Sequence, residues 1–287
     1  NDYGENWQWI DDEVLGDGPF ITKLSHSPEN PDLIFAVGSR GVYRNTNFGF
    51  GTTPWDLIDL EETWAVNNVV TSSHHVKVSK ANPAIVWAGG GMFKEPDLNI
   101  FISKDYGKTF DTVTSYLDEE MGYISGMSTH PVNEAEAFIT FSYKGKPKII
   151  RTYNNGESWN DITGFAESNA DSSMNGFPDV VVNDVLVLPN DTSTIWAGTE
   201  IGMFESEDNG ETWHYSDCGL PAVSIWQMDI VDGHVIIATH GRGVWTADLG
   251  LVNTELPQEE LLSIQIYPNP ALEWIVLESE LGLGKAE

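Results

Sequence analysis

Cysteine is almost absent. Cys218 stands alone among 287 residues, so no intrachain disulfide can form and no multi-cysteine metal site can be built. That scarcity does not place the chain in the cytosol, because many bacterial exported proteins do without disulfides. Cys218 lies beside Gly219 just past a strand-like run and reads as packed rather than nucleophilic. Basic residues are scarce too: 14 Lys and Arg face 44 Asp and Glu, for a formal net charge of −30. Such a surface repels nucleic acid and anionic membranes, and neither is expected as a partner. No apolar run approaches the roughly 18 residues of a transmembrane helix, so no membrane span is expected. His-Glu-x-x-His, Gly-x-Ser-x-Gly and the phosphate-binding glycine loop are all missing. His74 and His75 form the one histidine pair, and neighbours on a strand face opposite ways, so they do not make one chelating site. No metal or cofactor is expected. The chain also lacks an initiator Met and a signal segment, and it reads as a fragment or processed form.

What is abundant is a repeat. Eleven Trp and 27 Gly are spread along a chain whose clearest phrase runs from Ile195 to Trp213. At its centre stands Ser206-x-Asp208-x-Gly210-x-Thr212-Trp213. Gly210 supplies a φ > 0 position, Ser206 and Asp208 can bond loop N–H groups, and Trp213 anchors the next strand. Ser103-x-Asp105-x-Gly107-x-Thr109-Phe110 is nearly complete, and Thr152-x-Asn154-x-Gly156-x-Ser158-Trp159 substitutes an amide. Weaker copies occur at Asp2-x-Gly4-x-Asn6-Trp7, at Asn45-x-Asn47-x-Gly49, which reaches its tryptophan only at Trp55, and at Thr246-x-Asp248-x-Gly250. The Asp or Asn positions are 2, 47, 105, 154, 208 and 248. A period near fifty residues (about 40–58) with strand-type content predicts propeller blades.

The motif resembles the Asp-box, or bacterial neuraminidase repeat. The phrases Trp196-Ala-Gly-Thr199 and Thr239-His-Gly-Arg-Gly-Val-Trp245 resemble sortilin-type and xyloglucanase-type propellers. The resemblance covers residues 1–250 and implies an all-β fold of about five visible blades. In such boxes Ser103, Asp105, Gly107, Asn154, Gly156, Ser206, Asp208, Gly210 and Trp213 have structural roles, away from the usual site.

Inner strands are predicted near Ile21–Leu24, His74–Lys77, Ser125–Met127, Asn183–Leu186 and Trp226–Met228. Second strands follow over Leu33–Val37, Ile85–Ala88, Ala137–Phe141, Ile195–Gly198 and Val235–Thr239. Third strands run into each box and fourth strands leave from its aromatic residue. The last triplet lacks an outer strand, which leaves two readings: Trp7–Ile10 supplies it and closes a five-bladed ring, or the propeller belongs to a longer one. Residues 251–262 read as a linker. Ser263-Ile-Gln-Ile-Tyr-Pro-Asn-Pro270 then resembles the opening of a type IX secretion sorting domain, truncated at residue 287. That likeness implies export to the cell surface or medium by the type IX machinery.

The loops before inner strands and those between second and third strands gather at one mouth. They bring Lys23, His74, His75, Asp184, Trp226, Arg40, Glu200, His240 and Arg242 toward it as candidate ligand-binding residues, beside Thr22, Ser125, Asn183, Gln227 and Tyr143. Such a ring suits a carbohydrate or peptide. Sialidases grip their substrate with three arginines. Only Arg40 and Arg242 reach the mouth here, since Arg44 and Arg151 sit at the far end of strand three. Other glycosidases need two carboxylates roughly 5–10 Å apart. Asp184 and Glu200 are the leading catalytic candidates, with Glu61, Glu62 and Asp118–Glu120 on entering loops. In xyloglucanase-type relatives the two acids come from two propellers, so one propeller holds half of such a site. The first reading is therefore a non-enzymatic glycan- or protein-binding module; the alternative is a glycoside hydrolase, or the propeller half of one.

Overall fold

The computed structural model describes residues 18–19, 22–27, 29–48, 54–60, 63–65, 69–93, 98–116, 121–165, 172–216 and 219–249. The first box with Trp7–Ile10, the residues Gly49, Glu61, Glu62, Asp118–Glu120 and Cys218, and the linker and sorting-type segment lie outside them.

The described chain is an all-β propeller. Blade one comprises β1 (Leu24–Ser27), β2 (Asn30–Val37), β3 (Gly41–Asn45) and β4 (Asp56–Asp59). Blade two comprises β5 (His75–Val78), β6 (Val86–Phe93), β7 (Leu98–Ser103) and β8 (Asp111–Val113). Blade three holds β9 (Gly122–Thr129), β10 (Ala137–Phe141), β11 (Ile149–Thr152) and β12 (Asn160–Asp161). Blade four holds β13 (Val182–Leu188), β14 (Asp191–Thr199), β15 (Gly202–Ser206) and β16 (His214–Tyr215), and blade five β17 (Ile225–Val231), β18 (His234–Thr239) and β19 (Val244–Asp248). Each is an antiparallel meander in sequence order, and a short ladder from Gly91 and Met92 of β6 to β9 ties blades two and three together. The predicted triplets match these elements closely except at β1. There the strand begins at Leu24, where the expected segment ends, because Leu24 is the first residue in register with β2, opposite Ala36.

The core lies between blades, because a sheet with two apolar faces must cover both. Strand β13 shows the period-two logic: Val185 and Val187 pack with Phe138, Ile149 and Trp213 toward blade three, while Leu186 and Leu188 pack with Met228 and Ile237 toward blade five. Trp87 and Trp159 meet edge-to-face at 5.9 Å between blades two and three. Phe35, Val37, Val76, Val78 and Phe101 fill the space between blades one and two.

Three turns at the lower end repeat almost atom for atom. In blade four the Gly210 N–H donates to Ser206 Oγ at 2.8 Å, and the Thr212 N–H to Asp208 Oδ1 at 2.8 Å. Blade two repeats both, from Gly107 to Ser103 at 2.9 Å and from Thr109 to Asp105 at 3.0 Å. Blade three makes them through Thr152 and Asn154 at 2.8 and 3.0 Å. Each turn places two successive residues at positive φ, for example Asn209 at 65° and Gly210 at 92°. At Gly107 a Cβ would also meet the Phe35 ring of blade one at 2.2 Å, so glycine is required for packing as well as for φ. The residue after each Asp or Asn position donates its N–H to a carbonyl in or just before the first residues of its own blade's second strand: Phe48 to Asp32, Tyr106 to Ala84, Asn155 to Ala135, Asn209 to Ser193 and Leu249 to Gly233. This bond appears in all five blades, including the two whose sequence copies are degraded.

Candidate functional site

Inner strands of a propeller do not form a continuous ladder with one another, so side chains fasten them. The Val78 N–H donates to Ser25 Oγ at 2.9 Å, the Lys80 N–H to Thr129 Oγ1 at 3.0 Å, and Asn183 Nδ2 to the Ile225 carbonyl at 2.8 Å. Ser125 Oγ donates to the Val182 carbonyl. These fasteners join each inner strand to the next, from blade one through blade five.

Asp184 is the most buried carboxylate of the ring, 6 % exposed. The strand pairing shifts register between Val182 and Asp184 and again between Ile225 and Gln227, two irregularities of the kind that re-aim side chains. Asp184 Oδ2 accepts the Met228 N–H of blade five at 2.8 Å and Oδ1 accepts the Val185 N–H at 2.9 Å. Burial pushes its carboxyl up, against the pull of Lys77, Lys80 and those two N–H groups. Glu200 is held elsewhere. Its Oε1 accepts the Val181 N–H at 3.1 Å at the head of β13, while Asp184 turns to blade five, so different strand segments anchor the two candidate acids.

Trp226, at the irregularity opening β17, is 51 % exposed and stacks on His240, with centroids 4.8 Å apart and planes 7° from parallel. His240 is held in turn by its N–H, which donates to the Ser224 carbonyl at 2.8 Å. Arg242 is exposed on the same loop, and its carbonyl receives the Trp245 indole N–H at 2.9 Å. The result is a flat, solvent-facing platform two residues along the strand from the N–H that grips Asp184.

The two histidines diverge as strand geometry requires. His74 is 1 % exposed, with Nε2 bonded to the Trp64 carbonyl at 2.7 Å and Nδ1 accepting the Thr71 N–H at 3.1 Å. It packs edge-on against Trp64, whose indole N–H reaches the Gly38 carbonyl at 2.9 Å. His75 bonds the Ser73 carbonyl through Nδ1 at 2.7 Å, and burial together with Lys23 lowers its pKa to about 3, so it is neutral at pH 7. Arg40 points outward and pairs with Asp59 of β4. Lys23 enters β1 half-buried, and its pKa is lowered by burial against the pull of Asp184. Tyr143 lies over Gly122 at the head of β9, where an added Cβ would meet its ring at 2.2 Å.

Sequence reading missed Lys77, Lys80 and Asp229, which also belong to the axial cluster. Lys80 Nζ lies 3.2 Å from Asp229 Oδ1, linking blade two directly to blade five. The signal was available in alternation: with Val76 and Val78 in the core, Lys77 and His75 must face the other way. Arg44 and Arg151 are confirmed far from the mouth. Arg44 Nε donates to the Tyr106 carbonyl at 2.8 Å, and Arg151 to the Asn209 carbonyl at 3.1 Å, so each fastens its blade to the next blade's turn. Among the described residues no three His, Cys, Asp or Glu side chains gather closely enough to hold a metal ion.

No family model matches the chain. It is 22% identical over 234 residues to the oligoxyloglucan-reducing end-specific xyloglucanase of Emericella nidulans, a match that takes in 76% of this chain and 26% of that protein. The chain thus spans about a quarter of the length of the curated relative it matches. Among solved structures it is similar to the GH74 xyloglucanase from Xanthomonas campestris, with TM-score 0.58, 16% identity, and coverage of 82% of this chain and 37% of that one. An ancestral GH74 enzyme gives TM-score 0.53 and 15% identity over 80% and 30% of the two chains. A chain of a nidogen/laminin complex gives TM-score 0.54 at 10% identity over 81% and 77%. These structural likenesses show the fold.

Proposed function

We propose that this chain is a glycan-directed propeller of the glycoside-hydrolase type, the propeller half of a xyloglucanase-like enzyme whose axial mouth receives the polysaccharide. The observation that carries this reading is the Trp226–His240 platform beside Asp184, a buried carboxyl pushed up by its surroundings. A flat aromatic face offers stacking area to a sugar ring. A carboxyl whose pKa is raised by desolvation is what glycosidic bond cleavage asks of its acid. The sequence likeness to a xyloglucanase supports the same reading. Asp184 is assigned as the acid from this propeller, Glu200 as the alternative, and the second carboxyl comes from a facing propeller. The repeated turns belong to the Asp-box type, and residues 263–287 act as the start of a type IX sorting domain that exports the protein to the surface or medium.

A second reading, a non-enzymatic binding or scaffold module, is favoured by one observation: both Asp184 oxygens accept strand N–H groups, as a fastener's would. A polysaccharide-hydrolysis screen with Asp184→Asn and Glu200→Gln separates the two. Sugar release that Asp184→Asn abolishes, with the melting temperature little changed, supports the hydrolase. Binding without turnover, unchanged by either substitution, sinks it in favour of the binding module.

A further inference from the structure

Three lysines gather at the propeller axis of a chain whose formal net charge is −30. Lys23 leads into β1, Lys77 lies within β5 and Lys80 just beyond it. Their faces follow from the packing. Val76 and Val78 occupy the core between blades one and two, which turns Lys77 away from it, and Lys23 shares the face of Ser25, whose hydroxyl receives the Val78 N–H. Lys80 is satisfied by Asp229 at 3.2 Å. The side chains of Lys23 and Lys77 make no hydrogen bond or ion pair among the described residues. Asp184, the other acid of the cluster, spends both oxygens on backbone N–H groups.

Half-buried ammonium groups with no counter-ion in contact are costly, and like charges in one cluster add to the cost. Burial and Lys77 both lower the Lys80 pKa, and Lys77 lowers that of Lys23 as well. In a chain with three times as many acids as bases, Asp184 acts on Lys23 and both Asp184 and Asp229 act on Lys77 through their charge, yet among the described residues neither touches these two lysines. Three ammonium groups thus share two carboxylates already engaged with backbone N–H groups or Lys80. An arrangement of this kind is completed by an anion from outside. The platform beside it narrows the class: an indole backed by an imidazole at 7° is a flat face for a ring, whereas an acidic peptide would gain little from it.

We propose that the axial channel receives the carboxylate of an acidic sugar unit, with Lys23 and Lys77 as its cationic partners and the Trp226–His240 stack holding a neighbouring ring. This rests on the glycan reading above and narrows it from neutral polysaccharide to a uronate-bearing one. His75 contributes a neutral acceptor. With Nδ1–H donated to the Ser73 carbonyl, its Nε2 carries a lone pair suited to a sugar hydroxyl.

The test is calorimetric titration of the intact chain with an oligogalacturonide, its carboxyl-reduced neutral form, a neutral xyloglucan oligosaccharide and a glutamate-rich peptide of equal charge. The oligogalacturonide is expected to bind about tenfold or more tightly than its reduced form. Lys77→Gln or Lys23→Gln should erase that preference, whereas Lys108→Gln on the opposite face should change nothing. Because neither lysine makes a hydrogen bond or contact ion pair among the described residues, both variants should melt close to the parent; if one fails to fold, the other carries the test. Equal binding of acidic and reduced forms, or a preference that survives both substitutions, overturns the acidic-sugar assignment while neutral binding keeps the glycan reading. A peptide that binds as tightly as the uronate overturns it too. Binding of no saccharide at all overturns both readings together.

Discussion

At the lower end of the blades, the turns after β7, β11 and β15 make the same hydrogen bonds three times over, through Ser103 and Asp105, Thr152 and Asn154, and Ser206 and Asp208. At the upper end and along the inner strands no two blades present the same side chains: Lys23 just before β1, His75 and Lys77 on β5, Ser125 on β9, Asp184 on β13 and Trp226 on β17. The lower turns solve one problem, reversing a strand while satisfying its N–H groups, and the local chain solves it alone. The axial side chains answer to neighbours in other blades, so each is fitted to a different surrounding. Repetition marks what is local, and divergence marks where specificity can reside.

The largest effect should come from the aromatic that anchors a lower turn in the core. Trp213 is 4 % exposed, donates its indole N–H to the Ile162 carbonyl at 2.7 Å and meets Phe177 edge-to-face. Trp213→Ala should cost about 3–5 kcal/mol in urea denaturation. Phe110→Ala, at the equivalent but only partly buried position of blade two, should cost clearly less. Equal losses would break the view that tertiary burial, rather than the turn itself, sets the value of the anchor.

A pH titration of stability sharpens the contrast between axis and turns. The His75 pKa falls from 6.5 unfolded to about 3 folded, so between those values the unfolded chain holds the extra proton. Stability contributed by neutral His75 is complete above 6.5 and is lost as pH falls through that window. Asp105 and Asp208, lowered to about 2 from 3.8, keep their contribution until the pH drops below 3.8. Asp184 acts in the opposite sense, since a raised carboxyl pKa favours the folded state as protons are added. His75→Gln should therefore flatten the loss between pH 6.5 and 4 and leave the acid limb below it intact, as followed by thermal melting. A curve unchanged by the substitution would refute a buried neutral imidazole.

Smaller effects belong to single turns. Asp208 takes the Ser206 hydroxyl at 2.7 Å and both the N–H and hydroxyl of Thr212, so Asp208→Ala should lower stability by about 1–2 kcal/mol. Asn154→Asp should be nearly neutral, within about 0.5 kcal/mol, because only the contact from Asn154 Nδ2 to Ser158 Oγ reverses its donor. Thermal melts resolve both, and a large loss at Asn154 would show that the three turns are less equivalent than their geometry.

The blades were legible because their signals are short-range. Ala137–Phe141 matches β10 residue for residue, and the three fullest motif copies, after β7, β11 and β15, fall in the turns they were expected to form. Blade five carries only the vestige Thr246-x-Asp248-x-Gly250, yet its Leu249 N–H makes the bond common to all blades. The candidate site was half legible. Asp184 and Trp226 stand out as polar and aromatic residues on inner strands, but Lys77, Lys80 and Asp229 did not, because nothing local in the sequence brings residues 80 and 229 together. Arg44 and Arg151 show the same limit from the other side: their distance from the mouth could be counted, but not the carbonyls they fasten in the next blade.

By itself the sequence determined the strands, their turns and the repeat that stacks them, since alternation, glycine at positive φ and side-chain bonds within a few residues are properties of a short stretch of chain. The tertiary structure alone decided which charges share the axis, that Asp184 is buried and gripped by blade five, that His74 turns inward while His75 joins the lysines, and that Trp226 finds His240 as a backing. Each of those depends on residues far apart in sequence meeting in a desolvated space, where burial sets both the protonation and the partners that a side chain can have.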